Sequence, residues 1–181
     1  EPHDWYIESP EKSENKYFRL DPIYVLSVKN SHQRIEKFII SNEWTGFNFV
    51  PFFVDPVGVN ERVDSIFDNF MNILGSHFSS NPDSNVCAIC EDDVVFLNGS
   101  VPYLEYCIRE LPMGWDTLSG NFSFIPKMIR VSERLIKNNW EASSMNFTIF
   151  TRRSYEKAVE KLNLREGKNR HIDRFFFSEE L

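Results

Sequence analysis

The sequence predicts an α/β fold, a mostly parallel sheet with helices on both faces. Three observations lead there. Short runs rich in β-branched and aromatic residues alternate with stretches whose apolar residues recur at helical spacing. That strand–helix–strand order is the pattern of a parallel sheet covered on both sides. The first three strand-like runs also end in polar residues, and in such sheets ligands bind beyond the carboxyl ends of the strands.

In chain order, residues 1–19 are polar and charged, with Pro2 and Pro10, and read as an arm or tail. Residues 20–181 read as a single domain, since a chain of 181 residues builds one core well and two poorly. The run 22–28 is the first strand, with Pro22 at its start. Ser31 is placed to N-cap a helix over about 32–42 that turns Ile35, Phe38 and Ile39 inward. A second strand covers 47–54, and Asp55-Pro56-Val57-Gly58 turns the chain. Asn60 can cap the longest helix, about 61–78, whose stripe is Val63, Ile66, Phe67, Phe70, Ile73 and Leu74. A polar loop leads into a strand over 86–90 and the acids Glu91, Asp92 and Asp93. After the turn at Asn98-Gly99, Ser100 can cap a helix to Leu111 with Leu104, Cys107, Ile108 and Leu111 inward. A short strand is expected over 115–118, an irregular stretch over 119–144, and a strand over 146–150. Thr151 then caps a helix that buries Tyr155, Ala158, Val159 and Leu162, and His171-Ile172-Asp173-Arg174 opens a short aromatic segment.

Composition excludes several classes. Only 7 glycines occur, and neither GxGxxG nor GxxxxGK[ST] is present, so no Gly-rich phosphate loop is expected. No apolar run approaches the roughly 18–20 residues that span a bilayer. Three cysteines make no disulfide framework, which suggests buried thiols and a reducing, cytoplasmic setting. Cys87 and Cys90 form a C-x-x-C, but three residues apart on a strand they face opposite sides and would not share a metal. The net charge of −7 is uneven: residues 1–126 hold 8 Lys/Arg and 19 Asp/Glu, whereas residues 127–174 hold 12 and 6. The basic later part permits an anionic acceptor, nucleic acid included, without demanding one; solvated helix faces are the preferred explanation.

Three adjacent carboxylates between apolar runs repel one another and are costly to bury unpaired. At a strand end they suit a hard divalent cation, Mn2+ or Mg2+, which takes oxygen ligands. Such an ion would neutralise a bound diphosphate and the charge growing on a leaving nucleoside diphosphate. Ser27-Val28 and Asp55 fall at the same predicted sheet edge.

Several segments resemble glycosyltransferase family 25, the lipopolysaccharide/collagen-galactosyltransferase type. Ile23-Tyr24-Val25-Leu26-Ser27-Val28, followed by polar residues and Arg34, is similar to the opening of that family. Phe49-Val50-Pro51-Phe52-Phe53-Val54-Asp55-Pro56-Val57-Gly58 resembles its second strand and turn, and Cys90-Glu91-Asp92-Asp93-Val94 its L-E-D-D motif. Leu111-Pro112-Met113-Gly114-Trp115-Asp116-Thr117-Leu118 resembles its L-P-x-x-W-D-x-L, Phe147–Tyr155 its A-Y-(L/I)-I-S-R-x-x-A, and His171-Ile172-Asp173 its P-(V/I)-D. The likeness spans about residues 22–177. The sequence departs from the family where a G-C-x-x-S-H segment should open the helix before the acids; it reads Asn60-Glu61-Arg62-Val63-Asp64-Ser65.

The resemblance implies a GT-A-like, Rossmann-like fold and a metal-dependent transfer of a sugar to an acceptor hydroxyl, with inversion. The donor would be a nucleotide sugar, a UDP-sugar first, and the acceptor a glycan or other hydroxyl compound. By the same resemblance Ser27, Val28, Arg34 and Asp55 would line the nucleotide. Glu91 and Asp93 would hold the metal and diphosphate, with His171 a further ligand; Asp92 would lie near the sugar, and Asp173 would be the base. The competing expectation is a catalytically inactive nucleotide- or polymer-binding module of the same fold.

Overall fold

The computed structural model describes residue 20 and residues 22–120, 129–137, 146–164 and 172–177. In chain order its elements are β1 (Ile23–Val28), α1 (His32–Asn42), β2 (Phe49–Val54), α2 (Arg62–Ser80), β3 (Val86–Glu91), α3 (Ser100–Glu110), β4 (Thr117–Ser119), β5 (Ile129–Arg130), β6 (Ile136–Lys137), β7 (Phe147–Thr151), α4 (Arg152–Leu164) and α5 (Ile172–Phe177). The main sheet has the order β2-β1-β3-β7-β4. Strand β1 runs parallel to β2 and to β3, while β7 is antiparallel to both β3 and β4. Four strands therefore point one way and β7 alone is reversed, an open, mostly parallel α/β sheet. Pro51 sits in β2, at the sheet edge, where a residue without an amide hydrogen is tolerated.

Alternation along the strands divides the core into two layers. On one face Leu26, Cys87, Ile89 and Phe150 pack against Phe67, Phe70, Ile73, Leu74 and Phe78 of α2, Ala158 of α4, and Phe175 and Phe176 of α5. On the other, Ile23, Val25, Ala88, Cys90 and Ile149 pack against Ile35 and Phe38 of α1, with Phe96 and Phe147. Cys87 and Cys90 fall on opposite faces, as a strand requires, and burial pushes both thiols far above their ordinary range. All three cysteines are free and buried. Among the described residues no helix is long and apolar enough to cross a membrane.

The structure corrects several local expectations. Ser31 stands at the start of α1 without a side-chain capping bond, and the tight turn before it is made by Asn30 in the left-handed region, φ 74°. Ile39 is 37% exposed, and the third buried residue of α1 is instead Asn42. Asn60 does not cap α2; it lies within a 3-10 turn, Val59–Glu61, that leads into the helix. Ser100 is the first residue of α3, and the preceding position is Gly99 with φ 87°. The irregular stretch contains the two-stranded β5–β6 ribbon. Thr151 does cap α4: its Oγ1 accepts from the Ser154 amide at 3.1 Å.

Candidate functional site

The acidic triplet straddles the carboxyl end of β3. Glu91 is the last residue of the strand, level with Leu26 of β1, and its amide donates to the Asn146 carbonyl at 2.8 Å. Asp92 and Asp93 form the turn beyond it.

The three acids have different surroundings. Ser27, on the α1 face of β1, donates from Oγ to Asp92 Oδ2 at 2.5 Å. Arg34, in the first turn of α1, donates to Asp92 Oδ1 at 2.5 Å. Both oxygens of Asp92 are thus engaged, and its side chain is only 8% exposed. Glu91 follows the parity of Cys87 and Ile89, so it belongs to the α2 face. Burial pushes its carboxyl above the usual carboxylate range; the charge of Asp93 adds to this, Arg62 at the start of α2 opposes it, and Asp92 and Arg34 contribute less. The Glu91 carboxylate makes no hydrogen bond or ion pair with another described residue. Asp93 is exposed.

The segment after the triplet is held separately. Asn42 is fully buried at the end of α1. Its Nδ2 donates to the Phe38 carbonyl at 2.9 Å and the Val94 carbonyl at 3.3 Å, and its Oδ1 accepts from the Phe96 amide at 3.0 Å.

Of the residues singled out from sequence, Ser27, Arg34 and Asp92 come into direct contact, with Glu91 and Asp93 on either side of Asp92. Val28 ends β1 and is 38% exposed. Asp55 does not join this cluster by contact; it pairs with Lys29 at 2.7 Å across the ends of β1 and β2, and both side chains are largely exposed. Asp173 falls within α5, whose Phe175 and Phe176 pack on Phe67 and Phe150; the Asp173 side chain lies outside the described residues, as does His171. Sequence reasoning missed Asn42, Lys29 and Arg62. Arg62 carried one signal, a basic residue opening a helix next to a predicted ligand edge.

The described basic side chains of the later part are spent inside the chain. Arg134 pairs with Glu110, and Arg153 and Lys157 both pair with Asp116. Lys161 is 9% exposed and donates to the Phe175 carbonyl. Arg152 donates to the carbonyls of Phe78, Asn81, Pro82 and Ser84. Every side chain described among the basic residues of 127–174 thus has an internal partner.

Among the described residues, no group of three or more His, Cys, Asp or Glu side chains could hold a metal ion by itself. The donor set nonetheless fits Mg2+ or Mn2+ in kind. Glu91 and Asp93 offer hard oxygens, and Glu91 is half-buried beside like charge. Mg2+ in particular takes one or two carboxylates from a protein and completes its shell with phosphate oxygens and water.

No protein-family model matches the sequence, and no curated protein does. Among solved structures, the chain is similar to the crystal structure of a glycosyltransferase involved in the glycosylation of the major capsid of PBCV-1, with 15% identity and a TM-score of 0.47. The likeness covers 78% of this chain and 64% of that one, so this chain spans less than two thirds of that protein's length.

Proposed function

We propose that this chain is a metal-dependent glycosyltransferase that moves a sugar from a nucleotide-sugar donor, a UDP-sugar first, to an acceptor hydroxyl with inversion. The observation that carries the reading is the clasp on Asp92. A solvated acidic turn needs no buried carboxylate bound by a serine from one strand and an arginine from a helix. That clasp fixes the turn at the carboxyl edge of the parallel strands, the edge at which such sheets bind ligands. The motif resemblance to family 25 supports the same reading.

Glu91 and Asp93, with His171, would hold Mn2+ or Mg2+, which when bound supplies positive charge to the diphosphate as it leaves. Ser27, Val28 and Asp55 stand where the nucleotide would lie at the ends of β1 and β2. Arg34 is 56% exposed, so one side of its guanidinium is free to face a phosphate while the other holds Asp92. Asp92 orients the turn beside the sugar. Asp173 takes the acceptor's hydroxyl proton as the acceptor oxygen bonds to the anomeric carbon and the bond to the diphosphate oxygen breaks.

A thermal-shift panel of nucleoside diphosphates with and without Mn2+ tests this, followed by an assay for released nucleotide from UDP-sugars. Ligands that bind the folded state raise the midpoint by mass action. UDP with Mn2+ should raise it beyond either alone. Equal midpoints across the panel would overturn the reading; a shift without nucleotide release would leave a binding module in place of an enzyme.

A further inference from the structure

The geometry points to Asn42 as a positioning residue for the acidic turn, an inference that rests on the function proposed above. Asn42 is fully buried within a layer of aromatic and aliphatic side chains, a place where an amide is retained only if its hydrogen bonds are met. They are met, and by a particular set of atoms. One is the carbonyl of Phe38, one turn back in its own helix, which fixes the side-chain rotamer. The other two are the Val94 carbonyl and the Phe96 amide, the backbone immediately after the triplet.

This segment has no strand ladder of its own. Residues 94–97 are irregular, with Val95 64% and Leu97 73% exposed, so Phe96 alone of these three is buried. The triplet is consequently held at three points. β3 fixes Glu91, Ser27 and Arg34 fix Asp92, and Asn42 fixes the exit. Arg34 and Asn42 sit at the two ends of α1, so a single helix sets both the turn and the path out of it. Asp93 lies between the two attachments and makes no hydrogen bond or ion pair with another described residue, so its position follows from theirs. A side chain that is neither exposed nor acidic thereby determines where a proposed metal ligand stands.

The test compares Asn42→Ser with the wild type and with Leu111→Ala, a core variant in the separate cluster around Cys107 and Val131. The readouts are amide hydrogen exchange residue by residue, and the kcat and KM of sugar transfer. Asn42→Ser should speed exchange of the Phe96 amide by about 100-fold or more while amides of β1 and β7 keep wild-type protection, the mark of local rather than global opening. It should lower kcat at least about 10-fold, as expected when a reacting group is displaced. Leu111→Ala should lose stability without losing kcat. Wild-type exchange at Phe96 in Asn42→Ser, or a fall in kcat no greater than in Leu111→Ala, overturns the proposal. If the wild type transfers no sugar, the functional reading fails by itself; exchange across 91–96 then decides the positioning role alone, with acceleration confined to those residues supporting it and uniform acceleration overturning it.

Discussion

Arg34 and Asp92, 58 residues apart in the chain, meet at 2.5 Å with the carboxylate almost withdrawn from water and the guanidinium half in it. The pair joins α1 to the acidic turn, and Ser27 holds the second carboxylate oxygen. Replacing Arg34 by Met would leave a nearly buried charge with one neutral donor. We expect a loss of about 1–2 kcal/mol, kept modest because the guanidinium side of the pair is screened by solvent. Asp92→Asn removes the charge that needed compensation, so the double variant should be more stable than the sum of the singles by about 1 kcal/mol. Urea unfolding of the four proteins measures this; strict additivity would show that the contact contributes nothing.

Arg152 closes the end of α2. Its guanidinium lies 4.8 Å over the Phe78 ring and donates to carbonyls of Phe78, Asn81, Pro82 and Ser84. A cation at the negative end of a helix, with several forked bonds to carbonyls of the last turn and the loop, stabilises both helix and loop. Arg152→Ala should cost about 2–3 kcal/mol. Arg152→Lys should recover little, because an ammonium cannot span four carbonyls as the planar fork does. Thermal and urea midpoints read the effect, and a lysine variant as stable as the wild type would contradict it.

The frame of the fold was legible because its signals are local. The stripe Phe67, Phe70, Ile73, Leu74 keeps helical period, and the buried strands are short and apolar. Ser27 and the triplet were legible as one edge because strand ends in a parallel sheet coincide. What was hidden is instructive in its causes. Seven residues beyond Ile35 the stripe of α1 reaches Asn42, and a polar residue at a core register looks like the end of a stripe; its partners, Val94 and Phe96, are more than fifty residues away. The reversal of β7 has no local signature at all, since a strand's direction depends on the path of the chain through the preceding connection. The described basic residues of 127–174 were expected on solvated helix faces, and their pairing with Asp116 and Glu110 was hidden because charge counts ignore partners.

His77 gives the fold a dependence on acid. It is 3% exposed near the end of α2, with Nδ1 against the Tyr24 hydroxyl at 3.1 Å and Nε2 against the Val86 carbonyl at 3.0 Å and Ser84 Oγ at 3.1 Å. Burial lowers its pKa below the ordinary histidine value; the Val86 carbonyl opposes this and the Arg152 charge reinforces it. The unfolded chain therefore binds the proton more readily than the folded one. His77's contribution is fully present above its unfolded pKa of about 6.5 and is lost as pH falls from there toward the folded value. The urea midpoint should drop between pH 7.5 and 5.5, and His77→Gln should flatten that drop. A drop of equal size in the variant would assign the acid sensitivity elsewhere.

Glu91 has the opposite sign and ties stability to the proposed chemistry. Burial first, then the charge of Asp93, hold its carboxyl above its ordinary range, so the ionised form is disfavoured in the folded protein. Without a cation this ionisation destabilises the fold as pH rises through the carboxylate range, and protonation relieves it. Glu91→Gln keeps the shape and removes the charge. In metal-free buffer at pH 7 it should raise Tm by about 1–3 °C, a fraction of a kcal/mol once solvent screening is allowed for. In Mn2+ with UDP the order should invert, because the wild type gains stability by binding and the variant has lost a ligand. Such a crossover is what a carboxylate retained for a ligand rather than for the fold produces. A variant less stable than the wild type in both buffers would make Glu91 a structural residue and remove the metal from the site.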